Sequence, residues 1–124
     1  MVKENQKCIP EMKVCVYKTM VYTGDVDGAG TDGNVMVQLI GEKGASKEQY
    51  PDSARNDFER GAADPFFLEL TPLGTLTEAK VNRTSQKPWF LEKIVVKKVN
   101  FPETYTFHYN NWVNGMVRIL ASSE

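Results

Sequence analysis

With 124 residues, 41% of them apolar and 25% charged, the chain has the length and composition of one soluble globular domain with its own core. A net charge of −1 leaves no global basic field to attract nucleic acid. No apolar run approaches the ~20 residues that a membrane-spanning helix needs.

The N-terminal stretch MVKENQKCIPEMK is polar and lacks the apolar centre of a secretory leader, so the expectation is a cytoplasmic protein, attached to membranes at most peripherally. Cys8 and Cys15 make neither a disulfide framework nor a metal quartet and read as two ordinary thiols, Cys15 packed in a strand. VCVYKTMVY is rich in strand-forming residues. Lys18 sets its register, with Val14, Val16 and Met20 on the wetter side and Tyr17, Thr19 and Val21 inward. A glycine- and aspartate-rich loop follows, and then NVMVQLIG alternates, Val35, Val37 and Leu39 on one face and Asn34, Met36 and Gln38 on the other. After a second polar loop, DPFFLEL sets Phe66, Leu68 and Leu70 on one face. A turn at Pro72 and Gly74 leads into LTEAKV. WFLEKIVVKKV is a further strand whose alternation slips between Leu91 and Ile94, which one extra residue, a bulge, explains. TYTFHY alternates Tyr105, Phe107 and Tyr109, and MVRIL closes with Val117 and Ile119. Short strands separated by turn residues, with almost no helix, predict an all-β sandwich or barrel in a single domain.

The first loop, TGDVDGAGTDG at residues 23–33, holds four glycines and three aspartates. Gly28, Gly30 and Gly33 spell a dinucleotide fingerprint, but that motif needs a following helix to hold a pyrophosphate, and a strand follows here. Asp25, Asp27 and Gly30 spell the start of an EF-hand, but the fifth and twelfth loop positions are Ala29 and Met36, which carry no ligand oxygen. What remains is a loop whose glycines can turn carbonyls inward beside carboxylates, the donor set of a hard cation. One loop rarely encloses such an ion. The second loop, ARNDFERGAAD at residues 54–64, offers Asn56, Asp57 and Glu59, the last two on one side if the segment is extended.

At this pair of loops the chain resembles a PLAT domain, also called the lipoxygenase homology domain. The resemblance is carried in order by YTGDVDGAGTDGNVMVQLIGEKG, NDFERGAADPF, LGTL, KPWFLEKIVV and YTFHYNNW, closest to tandem-PLAT repeats and to the N-terminal domain of animal lipoxygenases. It implies an N-terminal extension over 1–12, the domain over 13–120 and a short tail over 121–124. The implied fold is an antiparallel β-sandwich of two four-stranded sheets. The implied role is non-catalytic: bringing attached partners to membranes or to other proteins, often with calcium. Carried over residue by residue, the calcium ligands are the Gly30 and Thr31 carbonyls, the Asp32 carboxylate, an Asn56 oxygen, and the Asp57 and Glu59 carboxylates. Asp25 and Asp64 match recurrent family aspartates without being taken as ligands. Three gathered carboxylates repel one another, and a divalent ion relieves that cost. The plain alternatives stay open: Asp32 holding its own turn, and Asp57 and Glu59 pairing with Arg55 and Arg60.

Trp89 and Trp112 match family tryptophans and read as core anchors. His108, the one histidine, has no nucleophile constellation and reads as a surface or packing residue. NRT at 82–84 is a glycosylation sequon that matters only on secretion. The first loop tip is small and acidic, and Phe58 is the one obvious aromatic of the second loop, so apolar insertion into a bilayer is expected to be weak. The resulting expectation is a monomeric calcium-binding module for an anionic membrane surface, a protein partner, or both. The alternatives are a calcium-independent protein-interaction domain and an enzyme, and no nucleophile–base pair, histidine metal set or phosphate loop supports the last.

Overall fold

The computed structural model describes residues 8–9, 14–30, 35–50, 58–83, 89–99 and 102–121. Along them run β1 (Cys8–Ile9), β2 (Val14–Thr23), β3 (Val35–Gly41), β4 (Gly44–Ala45), β5 (Ala63–Leu70), β6 (Leu76–Arg83), β7 (Trp89–Lys98), β8 (Thr104–Val113) and β9 (Met116–Leu120). No helix among the described residues is long and apolar enough to cross a membrane. The strands form two antiparallel sheets of four, β5-β2-β7-β8 and β4-β3-β6-β9, and β1 adds a two-residue pairing to β2. The expected β-sandwich is therefore the fold.

Period two governs its packing. In β2 the residues Cys15, Tyr17, Thr19, Val21 and Thr23 are buried, while Lys18 is exposed and Val14, Val16 and Met20 are half-buried, the register that Lys18 requires. Phe66, Leu68 and Leu70 of β5 turn inward as expected, as do Val35, Val37 and Leu39 of β3. Met36, on the opposite face of β3 from these three, is buried as well. The two sheets close on one apolar core, with Tyr17, Trp89 and Phe107 from one side and Leu39, Leu76 and Val81 from the other. Each such side chain contributes about 1.5–3 kcal/mol by leaving water. Tyr17 keeps its hydroxyl satisfied as acceptor for the Leu73 N–H at 3.2 Å, and burial pushes its pKa up.

The bulge expected in β7 is present. Tyr22 pairs with Lys93 and Thr23 with Leu91, so Glu92 is the extra residue opposite β2. Against β8 the register also shifts there, and Asn110 takes φ 57° to absorb it. Trp89 and Leu91 before the bulge and Ile94 and Val96 after it all face the core.

Two expectations are corrected here. Cys15 is not an ordinary thiol but disulfide-bonded, and Cys8, the other of the chain's two cysteines, is its Cα partner across β1 and β2. Antiparallel partners stand ~4.5–5.5 Å apart at Cα, within the span of a disulfide. Trp112 is not a core anchor: it is 39% exposed and packs edge-on against Phe90, its cross-strand partner, at 5.1 Å. Period two explains this, because Phe107 and Val113 face inward and Trp112 falls on the outward side with His108, which is exposed, the first of the two places open to it.

Candidate functional site

The two polar loops meet at one end of the sandwich. Where β2 ends, the Gly24 N–H donates to the Phe90 carbonyl at 2.9 Å, and the Gly24 carbonyl accepts from the Gly61 N–H at 3.0 Å. The first loop is thus tied to β7 on one side and to the second loop on the other. It turns over Val26–Ala29, closed by the Ala29 N–H donating to the Val26 carbonyl at 3.1 Å, with Gly28 at φ 75° where glycine costs least. Ala29 is fully buried and its carbonyl accepts from the Phe90 N–H, which fixes the position of the residue after it.

That residue is Gly30. A Cβ built there would stand 3.1 Å from the Arg60 nitrogen, 3.1 Å from the Phe58 carbonyl oxygen and 3.3 Å from the Glu59 Cα. All three are backbone atoms, so a side chain there would fit only if the second loop's backbone gave by a few tenths of an ångström. Of the six residues carried over as calcium ligands, the described ones are Gly30 and Glu59, and the fold sets them against each other. Thr31, Asp32, Asn56 and Asp57 lie outside the described residues.

The second loop is held from below by Phe58. Phe58 adopts φ 63°, a left-handed conformation that costs a residue with a side chain on the order of 1–3 kcal/mol. Its ring offsets that cost: it is 4% exposed, stacks on Phe66 at 5.6 Å and meets Trp89 edge-on at 5.4 Å. Phe58, the one obvious aromatic of the second loop, therefore anchors that loop inward and is not available for insertion into a bilayer. Its N–H donates to the Asp64 carboxylate at 2.8 Å, and Asp64 is itself buried, which makes that aspartate a structural acceptor. Trp89 is fully buried, as expected, and its indole N–H donates to the Thr23 hydroxyl at 2.9 Å. The turn closes through the Ala62 N–H donating to the Glu59 carbonyl at 3.0 Å, with Gly61 at φ 72°.

Arg60 reaches across the gap. Its Nε lies 2.9 Å from Asp25 and its Nη1 2.8 Å from Asp27, both carboxylates well exposed. Exposed pairs of this kind add little stability, but they set the loops' charge balance. One alternative left open by the sequence paired Asp57 and Glu59 with Arg55 and Arg60, their near neighbours. A partner 35 residues away in the chain leaves no local signal. Glu59 is exposed. Among the described residues no three His, Cys, Asp or Glu side chains gather closely enough to hold a metal. Among the described residues the arrangement is a junction of two carboxylate-bearing loops bridged by Arg60, clamped by backbone hydrogen bonds and an aromatic anchor.

The PLAT/LH2 domain model matches residues 17–119. Mouse lipoxygenase homology domain-containing protein 1 is 38% identical over 100 residues, 78% of this chain and 5% of that protein. The structure of a coral 8R-lipoxygenase, described with calcium activation via a C2-like domain, superposes with a TM-score of 0.81 at 22% identity, over 87% of this chain and 17% of that one. A calcium-dependent 11R-lipoxygenase superposes with a TM-score of 0.68 at 26% identity, over 86% and 17%. The chain thus spans a small fraction of each relative's length.

Proposed function

The chain belongs to the PLAT/LH2 domain family, and from that premise we propose that it is a calcium-binding module that brings its host to an anionic membrane surface. The domain is a non-catalytic module of larger proteins, and the catalytic part of a lipoxygenase is not in this chain. The observation that carries the reading is the contact of Gly30 with the backbone of Phe58–Arg60, which holds the two acidic loops together at the sandwich end. Backbone carbonyls of Gly30 and Thr31 and oxygens of Asp32, Asn56, Asp57 and Glu59 are the proposed ligands. Oxygen donors of this kind suit calcium, which tolerates irregular coordination by carbonyls and carboxylates. The calcium regulation described for the 8R- and 11R-lipoxygenases supports it by analogy.

Calcium at this junction offsets the loops' negative charge and bridges to lipid headgroups. Sedimentation with anionic vesicles is expected to rise with calcium and to weaken at high salt, because exposed charges are screened within ~10 Å at 0.1 M. Strong calcium-free binding to neutral vesicles would contradict the reading.

A second reading rests on Arg60. It pairs with both Asp25 and Asp27, so a calcium-independent protein-interaction domain with structural acidic loops would have part of their charge offset from within the chain. A flat calcium titration would select it.

A further inference from the structure

Asn82-Arg83-Thr84 has the acceptor pattern for an N-linked glycan, and the calcium reading leaves it unused. Its asparagine stands one residue before the end of β6. Strand alternation turns Val81 and Arg83 inward, both buried, so Asn82 falls on the outward face of the second sheet, where it is half-buried. Its cross-strand partners are Met36 of β3 and Met116 of β9. Met36 is 1% exposed and Met116 is 47% exposed. The face beside Asn82 is thus covered on the β3 side and open on the β9 side.

Among the described residues β9 is an edge of that sheet. Its outward residues are Met116, Arg118 and Leu120, the last 73% exposed. An open edge strand with apolar side chains is a template for pairing with another chain, and proteins blunt such edges. Arg118 blunts this one only in part, because its Nε is engaged by Glu78 at 2.8 Å. A bulky, solubilising group on Asn82 would stand directly beside it.

A three-residue pattern recurs by chance, and a second observation supports this one. Cys15 is disulfide-bonded. Such bonds persist in the oxidising compartments of the secretory route and are rare in the cytosol. The glycan is attached along the same route. The expectation of a cytoplasmic protein rested on the polar first residues, and the disulfide weighs against it.

We propose that Asn82 carries an N-linked glycan that shields the β9 edge. The donor is an oligosaccharide linked to a lipid diphosphate. The Asn82 amide nitrogen loses one proton and bonds to the anomeric carbon of the first sugar. The bond from that carbon to the phosphate oxygen breaks, and the lipid diphosphate leaves with the electron pair. Transfer acts on the chain before the sheet closes, so the partial burial of Asn82 in the fold does not oppose it. In the folded domain the sugar leaves over Met116. The inference is independent of the calcium reading.

The test is mass spectrometry on two samples: the full chain secreted behind a cleavable leader from cultured human cells, and the native protein captured from its source cells with an antibody against this chain. A glycan-releasing amidase in heavy-oxygen water converts an occupied asparagine into labelled aspartate. Label at Asn82 is expected in both samples. On a gel of the expressed chain, Asn82→Gln and Thr84→Ala lose the amidase-sensitive shift and Thr84→Ser keeps it. Whole-cell extract reports attachment even for a variant that is not secreted, because transfer precedes folding. The glycosylated chain sediments as a monomer at concentrations where the amidase-treated chain self-associates. Unlabelled Asn82 in either sample, a shift that survives Asn82→Gln, or equal self-association before and after amidase would overturn the proposal.

Discussion

Trp89 and Trp112 show how little a residue's identity says without its position on the strand. Trp89 is sealed between the sheets, donates to Thr23 and braces Phe58 beneath the second loop. Truncation to alanine removes the anchor and leaves a cavity, so Trp89→Ala should cost about 3–5 kcal/mol in chemical denaturation. Trp112, with its ring on the outward face beside Phe90, should cost much less when truncated, about 1 kcal/mol from a lost aromatic pair. A similar loss from both would mean that the outward pair is structural. The expectation for Trp112 came from family resemblance. The alternation of Tyr105, Phe107 and Tyr109, carried four residues further, already places it outside. Phe58 left no such signal: a left-handed phenylalanine is inward only because Phe66 and Trp89 form its pocket, and neither is near it in the strand pattern.

At the scale of elements, the strands were legible because one buried face imposes period two, and the β7 bulge because it broke that period. The loop junction was legible only in composition. Its clamp depends on two glycines with different reasons. Gly28 has open space but φ 75°, and Gly30 has backbone from the second loop against it. Gly28→Ala should therefore lose about 1–2 kcal/mol of stability through strain alone and keep its calcium response. Gly30→Ala should push the second loop's backbone back by a few tenths of an ångström and weaken the response. Differential scanning fluorimetry of both, with and without calcium, separates strain from loop contact. A retained response in Gly30→Ala would mean that the contact does not assemble the site. The pairing of Cys8 with Cys15 was not legible, because two cysteines without a framework carry no register until β1 lies beside β2. In a reducing cytoplasm the pair would be thiols, and the bond persists where the surroundings are oxidising. Reduction should lower stability by about 2–3 kcal/mol through the freed unfolded chain, and Cys15→Ser should abolish the difference between oxidised and reduced samples. Identical melting with and without reductant would show the bond to be energetically idle.

At the scale of the whole molecule, the two acidic loops meet at one end of the sandwich. The central claim is that the loops converge on calcium, and thermal melting tests it most directly. An ion that binds the folded state alone raises stability by about 2.7 kcal/mol at a hundredfold excess over Kd. For a domain near this size each kcal/mol moves the midpoint by roughly 3–6 °C, so calcium should raise it by on the order of ten degrees, and magnesium by much less. Asp32→Asn and Asp57→Asn should each remove most of that shift while calcium-free stability stays level or rises, because each deletes a mutually repelling charge. A parent chain that melts alike with and without calcium, together with a stability loss in Asp32→Asn, would contradict the account and leave the first loop a structural turn.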